Sequence, residues 1–169
     1  MKMKKVLFAI ALALGITASA QSKVGHVNLE VVIQAMPETK AAEGQLEIYA
    51  EQLNKDLQDM YVEYQSRLKT FQDAEPGMTK LNRDSKVKEL QELQQRIQEY
   101  EQNMAVDYQG KQSELLKPII DKVQAAIDEV TKAQKMEYVI DSSESKRILL
   151  SVNGGNDLTP LVKTKLGIQ

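Results

Sequence analysis

Apolar residues along this chain recur at alternating steps of three and four. Leu46, Ala50, Leu53, Leu57, Met60, Tyr64 and Phe71 read as a heptad with a at 50, 57, 64 and 71 and d at 46, 53 and 60, interrupted where Arg67 takes the next d. Leu90, Leu93, Ile97, Tyr100, Met104, Tyr108 and Leu115 form a second series. Such spacing lays apolar side chains on one narrow helical stripe, which a second helix must cover. Between the series lies Asp73-Ala74-Glu75-Pro76-Gly77, and Pro and Gly both stop a helix. The pattern predicts a long antiparallel helical hairpin over residues 39–114, with its tip near 73–82. About 35 residues per limb would reach about 50 Å. Around Tyr100, Met104 and Tyr108 the steps become four and four, a stutter that locally relaxes a left-handed supercoil. Tyr49, Tyr64, Tyr100, Met60 and Met104 make the stripe soft, because Met is flexible and Tyr keeps a polar tip.

The chain ends carry different patterns. Residues 23–28 read as a short strand and 29–35 as a short amphipathic helix, broken at Met36-Pro37. Thr39 is the expected cap of the first limb, and Asp84 or Ser85 that of the second, which runs on to about Gln134 through Pro118. Below Pro118 the apolar face widens over Ile119, Ile120, Val123, Ala126, Ile127 and Val130, a composition suited to a packed body. Residues 138–141 and 147–152 are expected strands joined by a Ser-rich turn, with a loop over 153–157. Leu158-Thr159-Pro160 opens a last helix as N′, N-cap and N1, with Gly167 beyond its end. The expected fold is α+β, mostly α, with a helical-hairpin arm on a small β body formed by 21–38 and 115–169. Strands this few leave exposed edges, so the body is expected to assemble with other copies through Val24, Val27, Ile119, Val123, Val139, Ile140 and Leu149.

The first 20 residues read as an address. Lys2, Lys4 and Lys5 precede an apolar run over 6–16, and Ala18-Ser19-Ala20 is a small-x-small cleavage site. The run is too short for a bilayer span, so export to the periplasm with cleavage after Ala20 is expected. The absence of Cys excludes a lipid-modified cysteine and a disulfide framework. Removal of Lys2, Lys4 and Lys5 takes the formal charge from −2 to −5, which argues against a nucleic-acid partner.

Charge is uneven, however. Arg67, Lys69, Lys80, Arg83, Lys86 and Lys88 surround the hairpin tip against Asp73, Glu75 and Asp84, while the stem carries Glu43, Glu47, Glu51, Asp56 and Asp59. A basic tip with Phe71, Met78 and Leu81 beside it suits an anionic membrane surface or an acidic client segment. No catalytic constellation is evident, and neither a cofactor nor a metal is expected. His26 is the only histidine, and Gly154-Gly155 lacks the Lys-Ser/Thr of a phosphate loop.

Two terminal stretches resemble the Skp/OmpH family of periplasmic chaperones: Lys-Val-Gly-His-Val-Asn at 23–28, and Leu-Leu-Lys-Pro-Ile-Ile-Asp-Lys-Val-Gln-Ala-Ala-Ile at 115–127. Tyr-Val-Ile-Asp at 138–141 and Asp-Leu-Thr at 157–159 are similar to that family's closing strand and last-helix entry. Where many members have Gly before the closing strand, this chain has Met136-Glu137. The resemblance implies a homotrimer with a small β-barrel body and three arms. It also implies ATP-independent holding of unfolded outer-membrane β-barrel proteins, with no enzymatic activity. Met60, Tyr64, Phe71, Met78, Leu81, Ile97, Tyr100 and Met104 are the expected client-binding positions. The rival reading is a structural or adaptor coiled coil that fixes one folded envelope partner.

Overall fold

The computed structural model describes residues 23–146, 148–149 and 155–168. The expected leader, residues 1–20, lies outside them. Strand β1 (Val24–Val27) leads into helix α1 (Leu29–Ala35), then α2 (Pro37–Ala74), a 3-10 turn (Glu75–Gly77) and α3 (Lys80–Ala133). Strands β2 (Tyr138–Asp141) and β3 (Asn156–Asp157) and helix α4 (Thr159–Leu166) complete the chain. The hairpin reversal therefore falls at Pro76-Gly77, as the breakers require.

The helix starts differ from expectation. Helix α2 begins at Pro37 with Met36 as its N-cap, and the Thr39 hydroxyl instead donates to the Ile33 carbonyl at 2.6 Å. Proline at the first helical position removes one unpaired amide, and the Thr39 amide donates to the Met36 carbonyl at 3.1 Å in place of a side-chain cap. Helix α3 starts upstream of Asp84 and Ser85, at the Thr79 cap, whose hydroxyl accepts from the Asn82 amide. Leu158 is the N-cap of α4, one position earlier than read from the sequence. Pro118 stays inside α3.

The sheet order is β2-β1-β3, and both pairings are parallel. The third strand is not where β-branched content placed it. Ile148 and Leu149 are not in a strand, the rest of 147–152 lies outside the described residues, and Asn156–Asp157, expected as loop, pairs with Gly25 and His26. The register sets Val24 beside Tyr138 and His26 beside Ile140 on one face, with Gly25, Val27 and Val139 on the other. The second face packs on the core, where Val27, Val32, Met36, Val123, Leu158 and Val162 are each at most 2 % exposed.

Gly25 is required by that packing. A Cβ there would lie 2.9 Å from Leu158 Cδ1 and 3.2 Å from its Cγ, and buried Leu158 has little room to give way. Gly25→Ala is expected to destabilise the body by about 1–2 kcal/mol, as overpacking does, measured by chemical denaturation. An unchanged midpoint would contradict the close approach.

Helices α3 and α4 end in the same motif with different residues. At α4, Gly167 (φ 73°) donates to the Thr164 carbonyl and Ile168 to that of Lys163. At α3, Lys135 donates to the Lys132 carbonyl and Met136 to that of Thr131, but Lys135 holds φ 53° with a side chain attached. The end of α3 is thus kept in shape by a strained lysine. Lys135→Gly is expected to raise stability by about 1 kcal/mol, the left-handed penalty less glycine's chain entropy. A lower denaturation midpoint for the variant would count against this.

Candidate functional site

The paired stretch of α2 and α3 is the part of the molecule that buries least and exposes most. Its seam is one residue wide: Leu46 and Leu53 on α2 and Leu93 and Ile97 on α3 are at most 7 % exposed. The half-buried residues between them correct the heptad reading. On α2 they continue through Leu57, Met60, Tyr64, Leu68 and Phe71, so Leu68 replaces the break at Arg67. Counting from Leu57 to Leu68 gives eleven residues, the same interval as from Ile97 to Tyr108 on α3. An eleven-residue repeat turns 3.67 residues per turn, close to a straight α-helix, so two long limbs stay in contact with little supercoiling.

Most client-binding positions expected from the sequence belong to this seam. Ile97 is buried at 3 % exposure, and Met60, Tyr64, Phe71, Met78, Tyr100 and Met104 are half-buried. Tyr100 Oη lies 3.4 Å from the Leu53 carbonyl and 3.5 Å from Asp56 Oδ2; burial first, then Asp56, pushes its pKa up. Leu81 alone of the eight stands out, at 79 % exposure. Sequence reasoning passed over Ile48, Val62 and Val106, exposed at 68, 61 and 65 %, because they follow no period.

The two flanks of the hairpin differ. One carries a shallow groove of about 330 Å³ lined by Ala50, Leu53, Asn54, Met104, Ala105, Tyr108 and Gln109. Nearby on this side, Tyr61 donates to Glu101 at 2.7 Å, and that bond raises the Tyr61 pKa. The other flank is charged, and its groove is lined by Arg67, Glu89, Glu92, Gln95, Arg96 and Glu99.

The tip is less basic than its cations suggest. Arg67 pairs with Glu63 at 2.6 Å, Lys80 with Asp84 at 2.7 Å, Arg83 with Glu75 at 3.6 Å, Lys86 with Glu89 at 2.8 Å and Lys88 with Glu92 at 3.6 Å. Only Lys69 of the six has no ion pair among the described residues. Between Glu63 and Glu92 the formal charges cancel. A cleft of about 240 Å³ at the tip is lined by Phe71, Met78 and Leu90 with Arg67, Lys86 and Glu89, both cations being paired with Glu63 or Glu89.

The assembly positions divide. Val27, Ile119 and Val123 are buried in the chain's own core, and Val139 packs against it. Val24 is exposed at 42 %, and Ile140 and Leu149 are half-buried. Tyr138 (64 % exposed), beside Val24 on the open sheet face, and Ile148 (58 %) were not singled out from the sequence.

The carboxyl ends of the strands form a polar knot. Asp141 Oδ1 accepts from the Ser143 hydroxyl at 2.6 Å, the Ser143 amide at 2.9 Å and the Leu29 amide at 3.4 Å. Asn28 caps α1 through the Val31 amide, and its own amide donates to Thr159 Oγ1, while Asp157 accepts from the Thr159 amide. The stretches at 23–28, 138–141 and 157–159 thus converge on one spot. His26 Nδ1 sits 3.3 Å from Ser142 Oγ and 3.9 Å from Asp157 Oδ1. A relay needs the hydroxyl and the carboxylate on different ring nitrogens, so this trio is not arranged for nucleophilic catalysis. Among the described residues there is no metal-ligating cluster, and no helix is long and apolar enough to cross a membrane.

Residues 23–166 match the family model described as Outer membrane protein (OmpH-like). The chain is similar to the Chaperone protein Skp of Photorhabdus laumondii, with 28 % identity over 165 residues, covering 95 % of this chain and 98 % of that one. It is similar to the Chaperone protein Skp of Escherichia coli (strain K12), at 28 % over 145 residues, covering 83 % and 87 %. In fold it is similar to an outer membrane chaperone (OmpH-like) from Caulobacter crescentus, with a TM-score of 0.70 and 17 % identity over 88 % of this chain and 86 % of that one. Matched over most of its length by the family model, this chain belongs to the OmpH-like outer membrane protein family.

Proposed function

We propose that this protein is a periplasmic chaperone, not an enzyme. It holds unfolded outer-membrane β-barrel proteins against its helical arm and keeps them from aggregating, without ATP. The observation that carries the reading is the arm itself. Helices of 38 and 54 residues pair, between Leu46 and Tyr108, through a seam one residue wide, and most other residues of that stretch are exposed. Similarity to proteins named Chaperone protein Skp supports the choice of a chaperone over a structural coiled coil. Soft Met and Tyr positions let the arm adjust to clients of different shape.

Export is proposed to remove residues 1–20 after Ala20. A homotrimer is supported by the open sheet face around Val24, Tyr138 and Ile140 and by the outer edges of β2 and β3, which no strand pairs among the described residues and which copies could close into one barrel. Val27, Ile119 and Val123 would then stabilise each body from within, leaving Val24, Ile140 and Leu149 for contact between copies. An anionic membrane surface is a poor fit to a tip whose charges cancel, leaving Lys69 and exposed Leu81 for such contact.

The test is aggregation of several unrelated outer-membrane β-barrel proteins diluted from urea. The mature chain should keep each soluble at one client per oligomer. An adaptor would let them precipitate while retaining one folded partner, and that outcome would end the chaperone reading.

A further inference from the structure

The arm's two flanks differ in chemistry over its middle stretch, and the seam packing does not require this. The eleven-residue repeat carries each groove's character along the helices. From Asn54, eleven residues on is Gln65; eleven before Ala105 and Gln109 are Gln94 and Gln98. On the opposite flank, eleven before Arg67 is Asp56, and eleven after Arg96 is Asp107. Over this middle stretch one flank is thus amide and alanine above an apolar floor of Leu53, Met104 and Tyr108, and the other is rich in charges. Glu43 and Arg83, eleven residues before Asn54 and Gln94, bound the uncharged stretch. On the uncharged side, Glu101 accepts a hydrogen bond from the Tyr61 hydroxyl.

The amides on the two flanks also differ in what they do. On the charged flank Gln52 donates to Asp56 at 2.6 Å and Gln95 to Glu99 at 2.8 Å. Among the described residues, Gln65, Gln94, Gln98 and Gln109 are exposed and make no such bond, while Asn54 donates to the Ala50 carbonyl of its own helix at 2.8 Å.

We infer that the uncharged flank is the surface on which an extended, unfolded polypeptide lies, held by side-chain amides bonded to its backbone and by apolar side chains seated in the groove. Resting on the chaperone reading, this adds which face is used and what it recognises. An unfolded chain of any sequence presents a backbone N–H and C=O at nearly every residue. A carboxamide both donates and accepts, so it can meet either group whatever the client's charge. A carboxylate only accepts, and covering it with a client strips its water without return. The charged flank is therefore the side that stays in solvent. Each amide contact is weak on its own, so holding is the sum of many exchangeable contacts.

The chain has no cysteine, so single cysteines give clean probes. Gln94→Cys and Ala105→Cys report on the uncharged flank, and Gln52→Cys and Gln95→Cys on the charged one. Each full mature variant carries a thiol-linked benzophenone and is irradiated with a urea-diluted outer-membrane β-barrel protein. Client adducts should form several-fold more from Gln94→Cys and Ala105→Cys. Equal or reversed yields from a chain that does hold the client would overturn the flank assignment alone. Chain-to-chain adducts from these two positions without client would give the flank to a second copy and overturn it as well. A wild-type chain that fails to hold the client overturns the chaperone reading and this one together. Independently, Gln98→Glu with Gln109→Glu should weaken client binding about tenfold, while Gln95→Glu changes it less than about twofold. Equal weakening by both would remove the distinction between the flanks.

Discussion

Leu93→Ala is expected to destabilise the arm by about 3 kcal/mol while leaving the body folded. Leu93 is 1 % exposed, the lowest value in the paired stretch, whereas its seam neighbours Leu90, Tyr100 and Met104 are only half-buried. The seam's stability is therefore concentrated in a few aliphatic side chains, and the Tyr and Met positions tolerate change. A leucine truncated in a thin two-helix contact also leaves a cavity that neighbours close only partly. Amide exchange should show about a hundredfold loss of protection along the distal parts of α2 and α3, with the amides of β1 and α1 unchanged. Leu81→Ala, at 79 % exposure, is the control and should stay within about 0.5 kcal/mol of wild type. Loss of protection spread evenly through the body would show that arm and body unfold as one unit.

The hairpin, its reversal and its seam are legible in the sequence because two long helices with one narrow contact leave a one-dimensional record. Pro76-Gly77, the Leu53 and Ile97 positions, and the face below Pro118 lie where periodicity puts them, except for Ile120, which is 49 % exposed. Heptad and eleven-residue readings diverge only after several turns, which is why Arg67 looked like a break when Leu68 carries the seam. The start of α3 was missed because Lys80 to Lys88 face solvent and show no apolar period; the Thr79 cap after Pro76-Gly77 is the signal that could have located it. Strand β3 is two residues with neither β-branched nor aromatic side chains, and it exists because Asn156 and Asp157 lie against β1. Local propensity holds no trace of that pairing. The two flanks of the arm were invisible for a similar reason. Which residues share a side depends on the repeat, and the heptad reading rotates each successive turn away from its true neighbours.

Asp141 is where the body's elements are joined, and its loss should be felt in all of them. Asp141→Ala would strand the Leu29 amide, the Ser143 amide and the Ser143 hydroxyl, all now donating to one charged oxygen. Bonds to a charged acceptor are worth more than neutral ones, and discounting for solvent at this half-buried site leaves an expected loss of about 3 kcal/mol. The same carboxylate makes stability depend on acid. Burial alone would raise the Asp141 pKa, but the hydrogen bonds from Ser143 and Leu29, helped by Lys146, outweigh it and hold the pKa below the usual carboxylate range. Asp157 behaves likewise: burial opposes, the Thr159 bonds and nearby His26 prevail, and its pKa is lowered. A folded pKa below the unfolded value of about 3.9 contributes stability that is fully present above that value. It is lost as pH falls through the folded value. Urea midpoints at pH 6 and pH 3 should therefore differ for wild type, and Asp141→Asn, which cannot titrate, should narrow the difference while leaving the Asp157 share. A variant whose acid-side fall matches that of wild type would show that the knot holds the body by shape alone, with the charge of Asp141 contributing nothing.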